Sequence, residues 1–134
     1  MIPSTSGFLK TDLVVEEQPT YTHRMDLQKN CVRGYTDQLE AMEQAIYKML
    51  LTERYQYIMY SGNYGIETLD LYGQPISYIC PELERRIKET LLWDNRIKSV
   101  DNFEFDTSKK GEIKVIFTAT TIFGDVIAER TVNF

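Results

Sequence analysis

Ile113, Val115, Phe117 and Ala119 occupy every second position of residues 112–121. A period of two places all four on one face of an extended strand, with the other face left to solvent. Val126, Ala128, Val132 and Phe134 repeat the alternation after a turn at Gly124-Asp125, with Arg130 interrupting it. Ahead of both, Ile97 to Phe105 reads as a strand bulged near Asp101-Asn102. The polar run Asp106 to Gly111 forms the turn that follows it. The chain therefore ends in a three-stranded antiparallel meander.

Two helices precede it. Leu39, Met42, Ile46, Met49 and Leu50 recur at helical spacing between Thr36 and Leu51. Thr36 or Asp37 caps the start, acidic residues follow at the positive end of the helix dipole, and Lys48 falls in the last turn. Met42 and Met49 read as core filler. The second helix is expected to open at Pro81, because proline suits a first helical position. Leu83, Ile87 and Leu91 form its buried stripe, and it ends near Trp93. Between the helices, Tyr55 to Tyr60 reads as a short aromatic strand, and Ser61-Gly62-Asn63-Tyr64-Gly65 breaks it with backbone at positive φ. The order helix, strand, helix, meander is α+β: two helices packed on a small antiparallel sheet.

The first third of the chain is weaker in pattern. Residues 1–19 read as an extended arm, and Thr20–Asp26 with Cys31–Gly34 as a hairpin around a Leu27–Asn30 turn. The division is thus an N-terminal arm or hairpin over residues 1–34 and one domain over 35–134.

Composition removes several function classes. The 134 residues are 43% apolar and 26% charged, a globular balance, with a net charge of -5. No basic stripe is present, which argues against nucleic acid as a partner. No apolar run is long enough to span a bilayer, so no membrane partner is expected. Residues 1–30 lack the order of a signal peptide, which predicts folding in the cytoplasm. Cys31 and Cys80 form no metal-spaced pair and read as free, partly buried thiols, with a disulfide as the alternative. Nine Tyr and six Phe serve either the core margin or an interface.

Catalytic chemistry is thinly represented. His23 is the one histidine and has no nucleophile beside it. No serine elbow, zinc-binding helix or phosphate loop occurs. Catalytic residues, metal ligands and cofactors are therefore all expected to be none. The alternative is a small cell-wall glycan hydrolase, a tail lysozyme, using paired carboxylates drawn from Glu53, Glu67, Asp70 and Asp94.

Three features in order carry a resemblance. Leu51-Thr52-Glu53-Arg54 closes the first helix and is followed by Tyr64-Gly65. The Leu83, Ile87, Leu91 helix comes next, and Trp93-Asp94-Asn95-Arg96-Ile97 leads into the meander. Residues 35–134 resemble the baseplate wedge or sheath-initiator family of contractile phage tails, typified by the short wedge protein of T-even phages. The likeness is greatest to the branch found in Gram-positive prophages and phage-tail-like bacteriocins. A baseplate subunit of type VI secretion systems belongs to the same family. Members read Thr-Gly/Glu-Arg, then Tyr-Gly, then Glu-Pro-Arg before the first meander strand. Here the last motif is Asp94-Asn95-Arg96, which keeps the arginine, shortens the acid and loses the proline.

The resemblance implies a structural subunit that links larger baseplate wedge subunits to the tail sheath protein and templates the first sheath ring, with tube or hub proteins as further partners. It implies a place in the tail baseplate of a virion or phage-tail-like particle assembled in the bacterial host cytoplasm. The wedge-interface motif would comprise Glu53, Tyr64, Gly65, Asp94, Asn95 and Arg96. Arg96 is expected to grip a carboxylate bidentately, from Asp94, Glu53 or a wedge partner. The sheath-docking edge would be the last strand: Val126, Ile127, Ala128, Glu129, Arg130, Thr131, Val132, Asn133 and Phe134. An edge strand offers unpaired N–H and C=O groups to an incoming chain, unless its own fold covers it. A third reading is a peptide-binding adaptor that uses the same edge.

Overall fold

The computed structural model describes residues 19–133; the expected arm up to residue 18 and Phe134 lie outside them. The elements are β1 (Thr22–Asp26), β2 (Cys31–Thr36), α1 (Gln38–Leu51), α2 (Ile76–Leu92), β3 (Ile97–Asp106), β4 (Glu112–Thr121) and β5 (Gly124–Asn133). β1 and β2 form a two-stranded sheet, and β3-β4-β5 an antiparallel three-stranded one, so the fold is α+β as expected.

The hairpin turn is fixed by Asp26, whose Oδ1 accepts from the N–H groups of Gln28 (3.1 Å) and Lys29 (3.0 Å). Gln44 of α1 ties the hairpin down. Its Oε1 accepts from Met25 N–H (2.9 Å), and its Nε2 donates to the His23 carbonyl (2.8 Å). Asp37 caps α1, accepting from Gln38 N–H at 2.8 Å. Thr52 closes it, donating from its hydroxyl to the Lys48 carbonyl at 2.8 Å.

Met42, Ile46, Met49 and Leu50 of α1 meet Ile87 and Leu91 of α2 over Val115, Phe117 and Ala119 of β4 and Val126 of β5. A smaller cluster of Leu71, Ile79, Leu83, Ile113 and Val132 fills the other end. Both helices lie on one face of the sheet. On the opposite face, Ile127 of β5 is 77% exposed.

Three expectations are corrected. Tyr55–Tyr60 is not a strand but a series of turns, with Tyr55 at φ 66 and Tyr60 N–H donating to the Tyr57 carbonyl. None of residues 55–60 pairs with a strand among the described residues; the isolated bridge Glu53↔Ile66 flanks the segment without including it. α2 opens five residues earlier, behind Pro75, whose carbonyl accepts from Tyr78 and Ile79 N–H; Pro81 lies inside the helix. The early start extends the stripe by one step of four to Ile79, which is fully buried. The last turn is Ile122-Phe123, two residues earlier than Gly124-Asp125; Gly124 opens β5 at φ 134. The expected irregularity in β3 is present: pairing shifts between Asp101 and Glu104, with Asn102 at φ 57.

Candidate docking surfaces

β4 is the central strand, so β5 is an edge. Thr121 and Gly124 pair across a two-residue turn. Such a turn is closed by a pair that exchanges hydrogen bonds, and the pattern then alternates. Val126, Ala128, Arg130 and Val132 bond to β4, while Ile127, Glu129 and Thr131 turn their N–H and C=O outward. Side chains alternate too. Val126 and Val132 are buried under the helices, whereas Ile127, Glu129 and Thr131 are exposed on the other face. Glu129 there pairs with Lys114 of β4 at 2.9 Å.

Beside this edge runs a groove of about 440 Å³ between α1 and β5. Ile46, Tyr47, Leu50 and Leu51 line one wall, and residues 126–131 the other. Leu39 lies over Gly124, so α1 and β5 run in the same direction. The C-terminal end of α1 therefore falls near Arg130.

The Asp94-Asn95-Arg96 turn lies elsewhere. Arg96 donates from Nε to Asp94 Oδ1 (3.0 Å) and from Nη2 to Oδ2 (2.6 Å), a fork within the chain. Its backbone N–H also reaches Oδ1 (3.0 Å), and Nη1 reaches the Pro19 carbonyl (3.3 Å). The Arg96 carbonyl accepts from Ile122 N–H (3.0 Å). This one residue thus ties the exit of α2 to the last hairpin and to the chain ahead of β1. Burial pushes the Asp94 carboxyl up, but the Arg96 bonds and charge outweigh it and hold the group below its ordinary range.

Glu53 does not reach Arg96. Its carboxylate accepts from Thr68 N–H (2.8 Å), Thr68 Oγ1 (2.7 Å) and Leu69 N–H (3.2 Å). Gly65 is at φ 93, and a Cβ there would sit 2.5 Å from the Thr52 carbonyl oxygen. That close approach lets Arg54 N–H bond the Ile66 carbonyl (3.1 Å) and Ile66 N–H bond the Thr52 carbonyl (2.9 Å). The Thr52-Glu53-Arg54 step and Tyr64-Gly65 are therefore two sides of one structural latch.

Tyr64 connects the latch to a second concavity. It lines a cavity of about 590 Å³ with Ser61, Lys48 and the turn Trp93, Asp94, Asn95 and Arg96. Tyr64 stacks on Tyr60 (4.5 Å between centroids), which meets Tyr57 edge-on (6.2 Å). Burial raises the pKa of the Tyr64 hydroxyl, with Tyr60 adding to it. Around this ladder Ile58 is fully exposed, Met59 76% and Trp93 67%.

Three of the four carboxylates considered for glycan hydrolysis, Glu53, Asp70 and Asp94, are committed to internal bonds. Asp70 pairs with Arg86 and Asp94 with Arg96. The Arg86 bonds hold Asp70 below its ordinary pKa, as those of Arg96 do Asp94. A general acid needs the opposite shift. His23 stacks on Tyr35 at 4.9 Å, and no cluster of metal-ligating side chains occurs among the described residues. No described helix is long and apolar enough to cross a membrane.

A sheet with helices on one face and, among the described residues, no strand beyond β5 is an α+β form that leaves edge backbone groups for a partner. The chain belongs to the contractile injection system sheath initiators, whose family model matches residues 19–124. It is 33% identical over 125 residues to the phage-like element PBSX protein XkdS of Bacillus subtilis (strain 168), covering 90% of this chain and 86% of that protein. Membership makes it a structural component of a contractile tail that works alongside sheath and other tail proteins.

Proposed function

We propose that this chain is the baseplate wedge subunit on which the first sheath ring forms, by accepting a strand of the sheath protein along β5. The observation that carries the reading is the β5 edge itself. Alternate backbone groups at Ile127, Glu129 and Thr131 face outward beside a groove walled by apolar side chains of α1. An incoming strand would satisfy those groups, and its alternate side chains would fill the groove and set its register. The role is structural rather than catalytic, and its setting is the tail baseplate of a phage or phage-tail-like particle assembled in the bacterial cytoplasm.

The second surface, where Trp93 and the Tyr57–Tyr60–Tyr64 ladder meet around the 590 Å³ cavity, is the face toward the larger wedge subunits. Exposed apolar residues continuous with a concavity are what such a contact uses. Asp94, Asn95 and Arg96 shape the cavity rim, with Glu53 and Gly65 holding Tyr64 in place from behind.

Proline at an outward-facing edge position removes a donor to the partner without removing a bond to β4. Ile127→Pro is expected to leave the isolated fold intact by circular dichroism and to yield baseplates without sheaths by electron microscopy. Sheaths of normal length on such particles reject the reading.

A further inference from the structure

Four arginines are wholly or partly withdrawn from solvent: Arg54, Arg86, Arg96 and Arg130. The first three donate to acceptors of their own chain. Arg54 reaches the Gly65 carbonyl and Thr90, Arg86 reaches Asp70 and Glu82, and Arg96 reaches Asp94. Arg130 is different. Its Nε is buried and has no hydrogen-bond partner among the described residues. No described carboxylate forms an ion pair with it. Glu53 acts on it only through its charge, since both Glu53 oxygens are taken by Thr68 and Leu69. Burial, the largest influence, lowers its pKa from the ordinary value. A guanidinium is costly to desolvate and is seldom left so unless a partner completes it.

Its position says what that partner is. Arg130 lines the groove between α1 and β5, on the helix-facing side of the edge strand. The carbonyl end of α1 favours a cation there but leaves Nε unbonded. A strand added to β5 would place the residue opposite Arg130 on the same side, within reach of its fork. The residue opposite Ala128, two positions away, would face Ile46, Tyr47 and Leu50. Glu43 lines the groove as well, and a register that brought the acid to it would be repelled.

We propose that Arg130 is a carboxylate receptor: the strand that completes the sheet at β5 carries an acidic side chain opposite Arg130 and an apolar one two positions away, opposite Ala128. This rests on the reading that β5 accepts a sheath strand, and it adds the register and sequence pattern that strand must have. The planar fork selects a carboxylate in a fixed orientation.

The test pairs Arg130→Met and Arg130→Lys with Ile127→Pro, each melted as a purified chain and each assembled into particles. Arg130→Met keeps the apolar stem and removes a desolvated charge, so its Tm is expected to match or exceed the parent. Its sheath-bearing particles should fall by roughly thirtyfold, the scale of losing one member of a buried charge pair. Arg130→Lys should fall between, because it retains charge but not the fork. Normal sheaths on both Arg130 variants, with none on Ile127→Pro, overturn the carboxylate receptor and leave the β5 edge standing. Normal sheaths on all three remove both ideas. A Tm loss in Arg130→Met shows that the residue is bound within its own fold, and this too overturns the proposal. If deleting residues 1–18 lowers the Tm of the parent but not of Arg130→Met, this chain's own acids occupy the groove and the sheath assignment fails.

Discussion

Asp94 and Arg96, two residues apart, hold each other in a bidentate pair with both side chains only 10% exposed. Removing one partner leaves the other buried and unpaired, which costs far more than losing a surface ion pair. Arg96→Ala is expected to destabilise the chain by about 3 kcal/mol in chemical denaturation. Arg96→Lys should lose part of that, because an ammonium cannot engage both Asp94 oxygens and the Pro19 carbonyl together. A variant Arg96→Ala as stable as the parent would show the clasp to be idle.

The network around Arg86 predicts a pH dependence. Bonds from Arg85 and Arg86 hold Glu82 at about 2 against an ordinary 4.5, and Arg86 lowers Asp70 as well. A carboxylate with a depressed folded pKa contributes stability that is present above its unfolded pKa and is lost as pH falls through the folded one. Arg86→Gln should therefore be less stable than the parent at pH 7. The difference should shrink between pH 4.5 and about 2. Denaturation at the two ends of that window checks it. A gap that is constant with pH would show that Arg86 acts through packing alone.

Gly65 separates two causes of glycine dependence. Its φ of 93 excludes most side chains, and the 2.5 Å approach of a built Cβ to the Thr52 carbonyl excludes any. Gly65→Ala is expected to cost more than about 1 kcal/mol. Gly65→Asn tolerates the dihedral but not the contact, so it should be no better than alanine. Full rescue by Asn would make the dihedral the sole reason.

The alternation at Ile113 to Ala119 and the four-residue stripe of α2 were legible because burial on one face imposes a fixed period. Ile79 continued that stripe, yet Pro81 stood where a helix start is favoured and concealed it. The Asp101-Asn102 bulge was legible from its turn-forming residues. Tyr55–Tyr60 was not, since aromatic residues fit a strand or an exposed loop equally well and only pairing with a neighbouring strand decides. Arg130 looked like a break in alternation. That its Nε lacks a hydrogen-bond partner among the described residues depends on how α1 packs beside β5 rather than on anything near it in sequence. The pairing of Glu53 with Thr68 rather than Arg96 likewise depends on the latch at Gly65.

Core and docking face should respond oppositely to substitution. Phe117 is fully buried, stacked at 5.4 Å on Phe103. Phe117→Ala is expected to cost about 3–5 kcal/mol. Ile127 is 77% exposed, so Ile127→Ser should change the stability of the isolated chain by no more than about 0.5 kcal/mol. A larger loss at Ile127 would mean that the β5 margin is covered by its own chain.

The aromatic loop offers the sharpest separation of stability from assembly. Ile58 is fully exposed and Met59 nearly so, at the tip of a turn that contributes no strand pairing. Exposed apolar side chains at such a site gain nothing for the free monomer, whereas an anchor buried on assembly contributes about 2 kcal/mol or more. Ile58→Asp is therefore expected to melt like the parent, within about 0.5 kcal/mol. Its recovery with larger wedge subunits should fall by roughly thirtyfold in co-purification. Because β5 is untouched, the same variant should still accept a sheath strand once it is built into a baseplate. Wedge complexes that form normally with Ile58→Asp would assign the wedge contact to another face and leave the cavity at Trp93 and Tyr64 without that role.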